Sequence, residues 1–114
     1  MSPIIQFNDF LKVEMRVGQV IAVQAPEWSE KLLEFQVDFG PEIGQRTIFS
    51  GVKKWYSEAD FLDKKFPFVV NLAERKMGPG VSQGMMMMVD AGGNDAKPVL
   101  ITLDEQAGVG AVLC

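Results

Sequence analysis

Apolar residues along this chain recur every second position far more often than at helical spacing, and glycine and proline crowd the breaks between the alternating runs. That pattern predicts short strands joined by turns. Only Phe7, Phe10 and Leu11 keep a spacing of three and four, with Asn8 or Asp9 as a cap, which predicts one helical turn packed as a lid. From Val13 the period becomes two, with Val13, Met15 and Val17 on one face and Lys12, Glu14 and Arg16 on the other. Gly18 interrupts before Gln19 to Val23 resumes, and a glycine inside a long strand predicts a bulge or a sharp bend.

Ala25, Pro26 and Glu27 end that strand, and Trp28 and Ser29 fill the turn. Leu33, Phe35, Val37 and Phe39 then alternate strictly with polar residues, the clearest half-buried strand in the chain. After Gly40, Pro41 and Gly44 a third strand covers Gln45 to Phe49, completing a meander. Lys53 to Lys65 is polar and mixed, with Trp55, Tyr56, Phe61 and Leu62 as its apolar members and Ser57 placed to cap one short helix. A fourth strand is expected over Phe66 to Leu72 and a fifth from Met85, joined by a cationic, glycine-rich turn carrying Arg75, Lys76, Gly78, Pro79, Gly80, Ser82 and Gly84. A last pair follows the Gly92-Gly93-Asn94-Asp95 turn, with Val99, Ile101 and Leu103 alternating, before the apolar tail Val109 to Leu113. This order is that of an all-β OB-fold, a five-stranded Greek-key barrel, here with a short N-terminal helix, a helix between strands three and four, and extra C-terminal strands.

Composition narrows the function. At 114 residues and 47% hydrophobic, residues 1–114 form one domain with enough apolar surface for a core. The longest uninterrupted apolar stretch, Met85 to Val89, is far short of a membrane span, and the opening Met-Ser-Pro-Ile-Ile-Gln lacks the basic and apolar regions of a leader. A cytoplasmic protein without membrane insertion is expected. The single cysteine, Cys114, makes an intramolecular disulfide impossible, and the absence of histidine removes the commonest general base and metal ligand. With no P-loop, no metal-ligand spacing and no nucleophile beside a base, no catalytic residue, metal or cofactor is expected. Glu27 with Glu30, or Asp104 with Glu105, would be the only acid and base pairs to imagine, and adjacent carboxylates on a strand face opposite ways.

Net charge is -4, the wrong sign for an ordinary nucleic-acid binder. Its distribution points the other way. Residues 43–76 hold Arg46, Lys53, Lys54, Lys64, Lys65, Arg75 and Lys76 against Glu58, Asp60, Asp63 and Glu74, a local excess of positive charge able to steer a polyanion. Solvated surface lysines would give the same count.

Several short stretches together resemble a known family. Asp9-Phe10, Arg16-Val17-Gly18, Lys31-Leu32-Leu33 with Val37-Asp38, Arg46 with Ser50-Gly51-Val52, Asn71-Leu72, Arg75-Lys76-Met77 and Gly80-Val81-Ser82-Gln83-Gly84-Met85 are similar, in order and spacing, to the tRNA-binding domain. That domain occurs appended to methionyl-tRNA synthetases, inside the phenylalanyl-tRNA synthetase beta chain, in endothelial-monocyte-activating-polypeptide-like proteins, and as small stand-alone proteins including the CsaA type. The resemblance covers roughly residues 9 to 112 and is nearest the stand-alone members, which implies a homodimer built on the chain ends and non-catalytic, structure-selective binding of tRNA.

The family's RNA-facing positions fall on Lys31, Arg46, Ser50, Lys53, Asn71, Arg75, Lys76, Ser82 and Met85. The five cations among them would neutralise phosphates. Asn71 and Ser82 would bond a base edge or a 2′-hydroxyl, and Met85 would pack against a base or ribose. Also compatible with the residues alone are Asn71 pinning a turn, Ser82 satisfying the backbone of the glycine loop, and Met85 entering the core. Where the family commonly reads Asn-Leu-Lys-Pro-Arg-Lys, this chain has Asn71-Leu72-Ala73-Glu74-Arg75-Lys76, one cation fewer and one anion more. The partners implied are tRNA, a second copy of the chain and an aminoacyl-tRNA synthetase. A CsaA-like, export-related chaperone acting on unfolded polypeptides is the alternative, to which Asp38-Phe39-Gly40, Glu42-Ile43-Gly44 and the methionine run lend support.

Overall fold

The computed structural model describes residues 1–114. One helical turn, α1 (Phe7–Phe10), precedes β1 (Met15–Gln24), β2 (Leu33–Asp38), β3 (Gln45–Ser50), β4 (Lys65–Val69), β5 (Arg75–Met77), β6 (Gly80–Ser82), β7 (Met85–Met86), β8 (Met88–Val89) and β9 (Val99–Leu100). The main sheet runs β3-β2-β1-β4-β7 with every neighbouring pair antiparallel, and it curls into a nearly closed OB-type barrel. The alternation read on β2 holds: Leu33, Phe35, Val37 and, just beyond, Phe39 are all buried. They meet Val20, Ile48, Phe61, Phe66, Phe68 and Met86 in one core.

β1 belongs to both halves of the barrel, pairing β4 through Met15–Gln19 and β2 through Gln19–Gln24. The irregularity expected at Gly18 lies two residues later, as a register shift between Val20 and Ala22. Gly18 has a different reason to be glycine: a Cβ there would stand 2.5 Å from Val37 Cγ1 and 2.7 Å from Phe68 Cδ1. Pro67 faces Val17 in the middle of the sheet. At that position β1 turns its N–H to Ala111 O (2.9 Å) and its C=O to Gly110 N (2.8 Å), so β1 makes no demand on the N–H that proline lacks. The C-terminal tail thus adds an edge beside Met15–Val17, and Leu113 N–H to Met15 O extends it.

Several expectations are corrected or refined. The connection between β3 and β4 carries the expected short helix as a single 3-10 turn, Glu58–Asp60, set among other turns. Its apolar residues are spaced to drop Val52 and Phe61 into the core one at a time rather than to line a helical face, and Asp63 ends the run at φ 64°. Ser57 does stand at the start of that 3-10 turn, and Asp60 Oδ2 accepts its N–H at 2.8 Å. α1 is no lid, since none of its residues is buried, and it starts from Gln6, whose N–H donates to Asp9 Oδ2 at 3.1 Å.

β4 stops at Val69 rather than Leu72: Val70 N–H still donates to Glu14 O in register, but Glu14 N–H turns to the Asn71 side chain and Val70 O is taken by Arg46, so the ladder closes there. The cationic turn is itself a hairpin, β5 with β6, closed by Gly78-Pro79 with Gly78 at φ 57°. A positive φ at the first of two turn residues is the geometry that follows the natural twist of a hairpin. The methionine run divides at Met87, whose N–H donates to Pro67 O, so Met85–Met86 pairs with β4 and Met88–Val89 with β9.

Candidate nucleic-acid interface

The hairpin β5–β6 lies across the mouth of the barrel on two aromatic rings. Trp28 and Phe49 pack with centroids 5.7 Å apart. A Cβ on Gly78 would come within 2.7 Å of the Trp28 ring, and one on Gly80 within 2.6 Å of the Phe49 ring. The two glycines therefore let the hairpin backbone rest directly on the rings. Residues opposite one another on an antiparallel pair share a face, so Arg75 with Ser82 and Met77 with Gly80 look inward, while Lys76 with Val81 looks out. Beneath the inward face is a cavity of about 320 Å³ lined by Phe49, Leu72, Ala73, Arg75, Met77, Ser82, Gly84 and Met85. Arg75 and Lys76, neighbours in sequence, are thereby sent to opposite sides of the ribbon.

The barrel closes between β3 and the strands after the hairpin, and side chains supply much of the closure. Ser82 is 4% exposed; its hydroxyl accepts Phe49 N–H at 3.1 Å and donates to Gly84 O at 3.1 Å. Gln83 N–H donates to Thr47 O at 2.8 Å, and Gln83 Oε1 accepts Thr47 N–H at 3.0 Å. Arg46 Nη1 donates to Val70 O at 2.6 Å and to Gln83 O at 3.3 Å. Gly84, at φ 146°, passes so close to Val69 O that a Cβ would stand 2.8 Å away. The Ser-Gln-Gly stretch and Arg46 act as a seam where a regular ladder is lacking.

Asn71 is likewise occupied. Its Oδ1 accepts Glu14 N–H at 2.8 Å and its Nδ2 donates to Lys12 O at 2.5 Å, fixing the chain at the entry to β1. Asn71 and Ser82, read from the resemblance as RNA-facing, thus spend polar groups within the protein, and Arg46 spends one guanidinium nitrogen, Nη1, in the same way. Ser50 is half-buried at the end of β3 and Met85 is 45% exposed at the rim of the cavity.

Of the basic segment, Arg46 and Lys65 are held by backbone carbonyls, Lys65 Nζ donating to Glu105 O and Ala107 O at 2.7 Å each. Lys54 pairs with Asp95. Lys53, Arg75 and Lys76 are exposed and unpaired, as is Lys31, which lies outside the segment. Lys53 N–H donates to Lys31 O at 3.2 Å, bringing those two loops together. Glu74, the added anion, is partnered by Gln83 Nε2 at 3.2 Å.

Elsewhere Arg16 is an anchor that sequence reasoning did not single out. Only 13% of its side chain is exposed, and it donates to Glu14 (2.9 Å), Glu42 (3.1 Å) and Gly110 O (3.0 Å). The bond it donates to Glu42 chiefly raises its pKa further, so it stays charged and ties the tail to the barrel. No group of acidic side chains is arranged to hold a metal ion, and no helix is long and apolar enough to cross a membrane.

Residues 15–112 match the family model described as "Putative tRNA binding domain". The chain belongs to the tRNA-binding domain family. It is 50% identical over 106 residues to a methionine--tRNA ligase of Chromobacterium violaceum, a match covering 92% of this chain and 15% of that enzyme. The chain thus spans less than a fifth of the curated relative's length. Among solved structures it is similar to a MetRS related protein from Pyrococcus horikoshii, with a TM-score of 0.91 and 33% identity, covering 99% of this chain and 100% of that one. The chaperone CsaA of Bacillus anthracis str. Ames shares the fold, with a TM-score of 0.84 and 20% identity over 98% of this chain and 100% of that one. The tRNA-binding-domain relationship read from the short motifs is thereby established.

Proposed function

We propose that this domain binds tRNA without catalysing a reaction on it, selecting the shape of the folded molecule, in the cytoplasm and as a homodimer. The observation that carries the reading is the mouth of the barrel: a largely apolar cavity lined in part by Arg75, with unpaired Lys76 on the outer face of the same hairpin and unpaired Lys31 and Lys53 on two loops joined to each other. Cations in that arrangement neutralise phosphates, while the apolar floor and Met85 offer a dry surface to a base or ribose, the division of labour of single-stranded RNA recognition. Ser50 lies at the edge of this surface. Arg46, Asn71 and Ser82 serve it by holding the seam and the strand ends that give it shape. An aminoacyl-tRNA synthetase is the natural associate of such a module.

The dimer is supported by the apolar chain ends. Ile5, Phe7 and Leu11 are more than half exposed, and Phe7, Phe10, Val13, Val112 and Leu113 line a common groove. A continuous apolar patch of this kind fits a self-complementary two-fold contact.

The test is binding of bulk tRNA across a range of salt, with an unstructured RNA of equal length and an unfolded polypeptide as competitors. Tight, salt-sensitive binding that the unstructured RNA does not displace is expected. Replacing Arg75 and Lys76 by alanine should weaken it and lower the salt slope by about two, roughly one per lost phosphate contact. Binding of the unfolded polypeptide instead of tRNA would favour the chaperone reading.

A further inference from the structure

Trp28 stands on the β1–β2 turn with 42% of its surface exposed. The turn is well fixed: Ser29 N–H donates to Pro26 O at 3.1 Å, and Ser29 Oγ accepts the N–H groups of Lys31 and Leu32 at 3.2 Å each. The indole is fixed as well, leaning on the Phe49 ring and against the backbone of Gly78. A large, rigid aromatic with a covered side and an open side loses little conformational freedom on contact with a flat ligand. Phe49, its support, is also part of the cavity floor beside Arg75 and Met85, so the indole and the cavity adjoin.

We infer that the open face of Trp28 is a stacking shelf for an unpaired RNA base, so that the ligand of this surface presents at least one unstacked nucleotide. The inference rests on the RNA-binding reading above and adds the kind of RNA feature recognised. Lys31 and Lys53 lie beside the shelf, but Glu27 and Glu30 share its turn and are also exposed. With charge of both signs around it, Trp28 contributes stacking rather than phosphate attraction. Every base has a π-face, so stacking tolerates sequence. A continuous double helix keeps its base faces covered and is a poor ligand for the shelf.

The chain has two tryptophans, so a Trp55→Phe background makes Trp28 the sole indole reporter. Bulk tRNA and a blunt-ended RNA duplex of equal length are titrated against the full chain at several salt concentrations, reading indole emission and affinity together. Quenching by tRNA and none by the duplex is expected. Trp28→Leu keeps an apolar cover over Gly78 and should weaken tRNA binding roughly tenfold while leaving the salt slope unchanged. Trp28→Phe should restore most of the loss. Binding of tRNA without quenching, equal quenching by the duplex, or equal affinity of the leucine and phenylalanine variants would overturn the shelf and leave the RNA-binding reading standing. No binding of tRNA at any salt would overturn both. Should the leucine variant fail to fold, emission and the phenylalanine comparison still decide.

Discussion

Replacing Ser82 by alanine separates a structural from a ligand-binding role for a residue that the family resemblance places on RNA. The hydroxyl is buried and makes two bonds, one from Phe49 N–H and one to Gly84 O, at the seam where β3 meets the segment after the hairpin. Alanine fills nearly the same space, so little cavity is created and the cost is the unpaired Phe49 N–H together with the weakened Gly84 carbonyl. A buried donor left without a partner costs about 1–3 kcal/mol. Taking about 2 kcal/mol, and about 4 °C per kcal/mol for a domain of this size, the thermal midpoint should fall by about 8 °C. Urea unfolding followed by circular dichroism should show a lower midpoint with the same slope, because the surface exposed on unfolding is unchanged. At a temperature where the variant remains folded, its affinity for tRNA should lie within about twofold of the parent, since a buried hydroxyl already bonded to two backbone groups has little to offer a ligand. Unchanged stability together with a large loss of tRNA affinity would refute the seam argument and make Ser82 a contact residue.

Phe7→Asp tests the chain ends. The ring is 70% exposed and no residue of α1 is buried, so the fold should be indifferent to the charge, while light scattering should show the mass falling from a dimer to the 12.6 kDa chain. A dimer that survives, or a parent chain that is already monomeric, would remove α1 from the contact. Asp60→Asn tests the 3-10 turn. The N–H of Ser57 chiefly lowers the Asp60 pKa, so its contribution is complete above the ordinary carboxylate range and is lost as pH falls through the lowered value. The asparagine variant should therefore be slightly less stable than the parent at neutral pH, with the gap closing in acid; a gap that widens in acid would contradict the assignment.

Much of the barrel was legible because its information is local. Strict alternation from Leu33 to Phe39 can bury only one face, and the glycine and proline turns leave few ways to connect such strands. The exclusion of disulfides and histidine chemistry followed from counting residues. The helix between β3 and β4 is a single 3-10 turn because the apolar residues around it are spaced to reach the core one at a time rather than to line a longer helical face. The hairpin within the glycine loop was missed because its strands are three residues each, too short to show a period.

The candidate site divides in the same way. Sequence alone supplied the cations, the Ser-Gln-Gly stretch and the family. Only the tertiary structure decided which cations are free, because Arg46 and Lys65 are captured by carbonyls of segments distant along the chain. It alone sent Arg75 and Lys76 to opposite faces, through the register of a hairpin, and set Trp28 beside the cavity by bringing the β1–β2 turn under that hairpin. Residue type fixes what a side chain offers; long-range backbone approach decides whether the protein itself has already taken it.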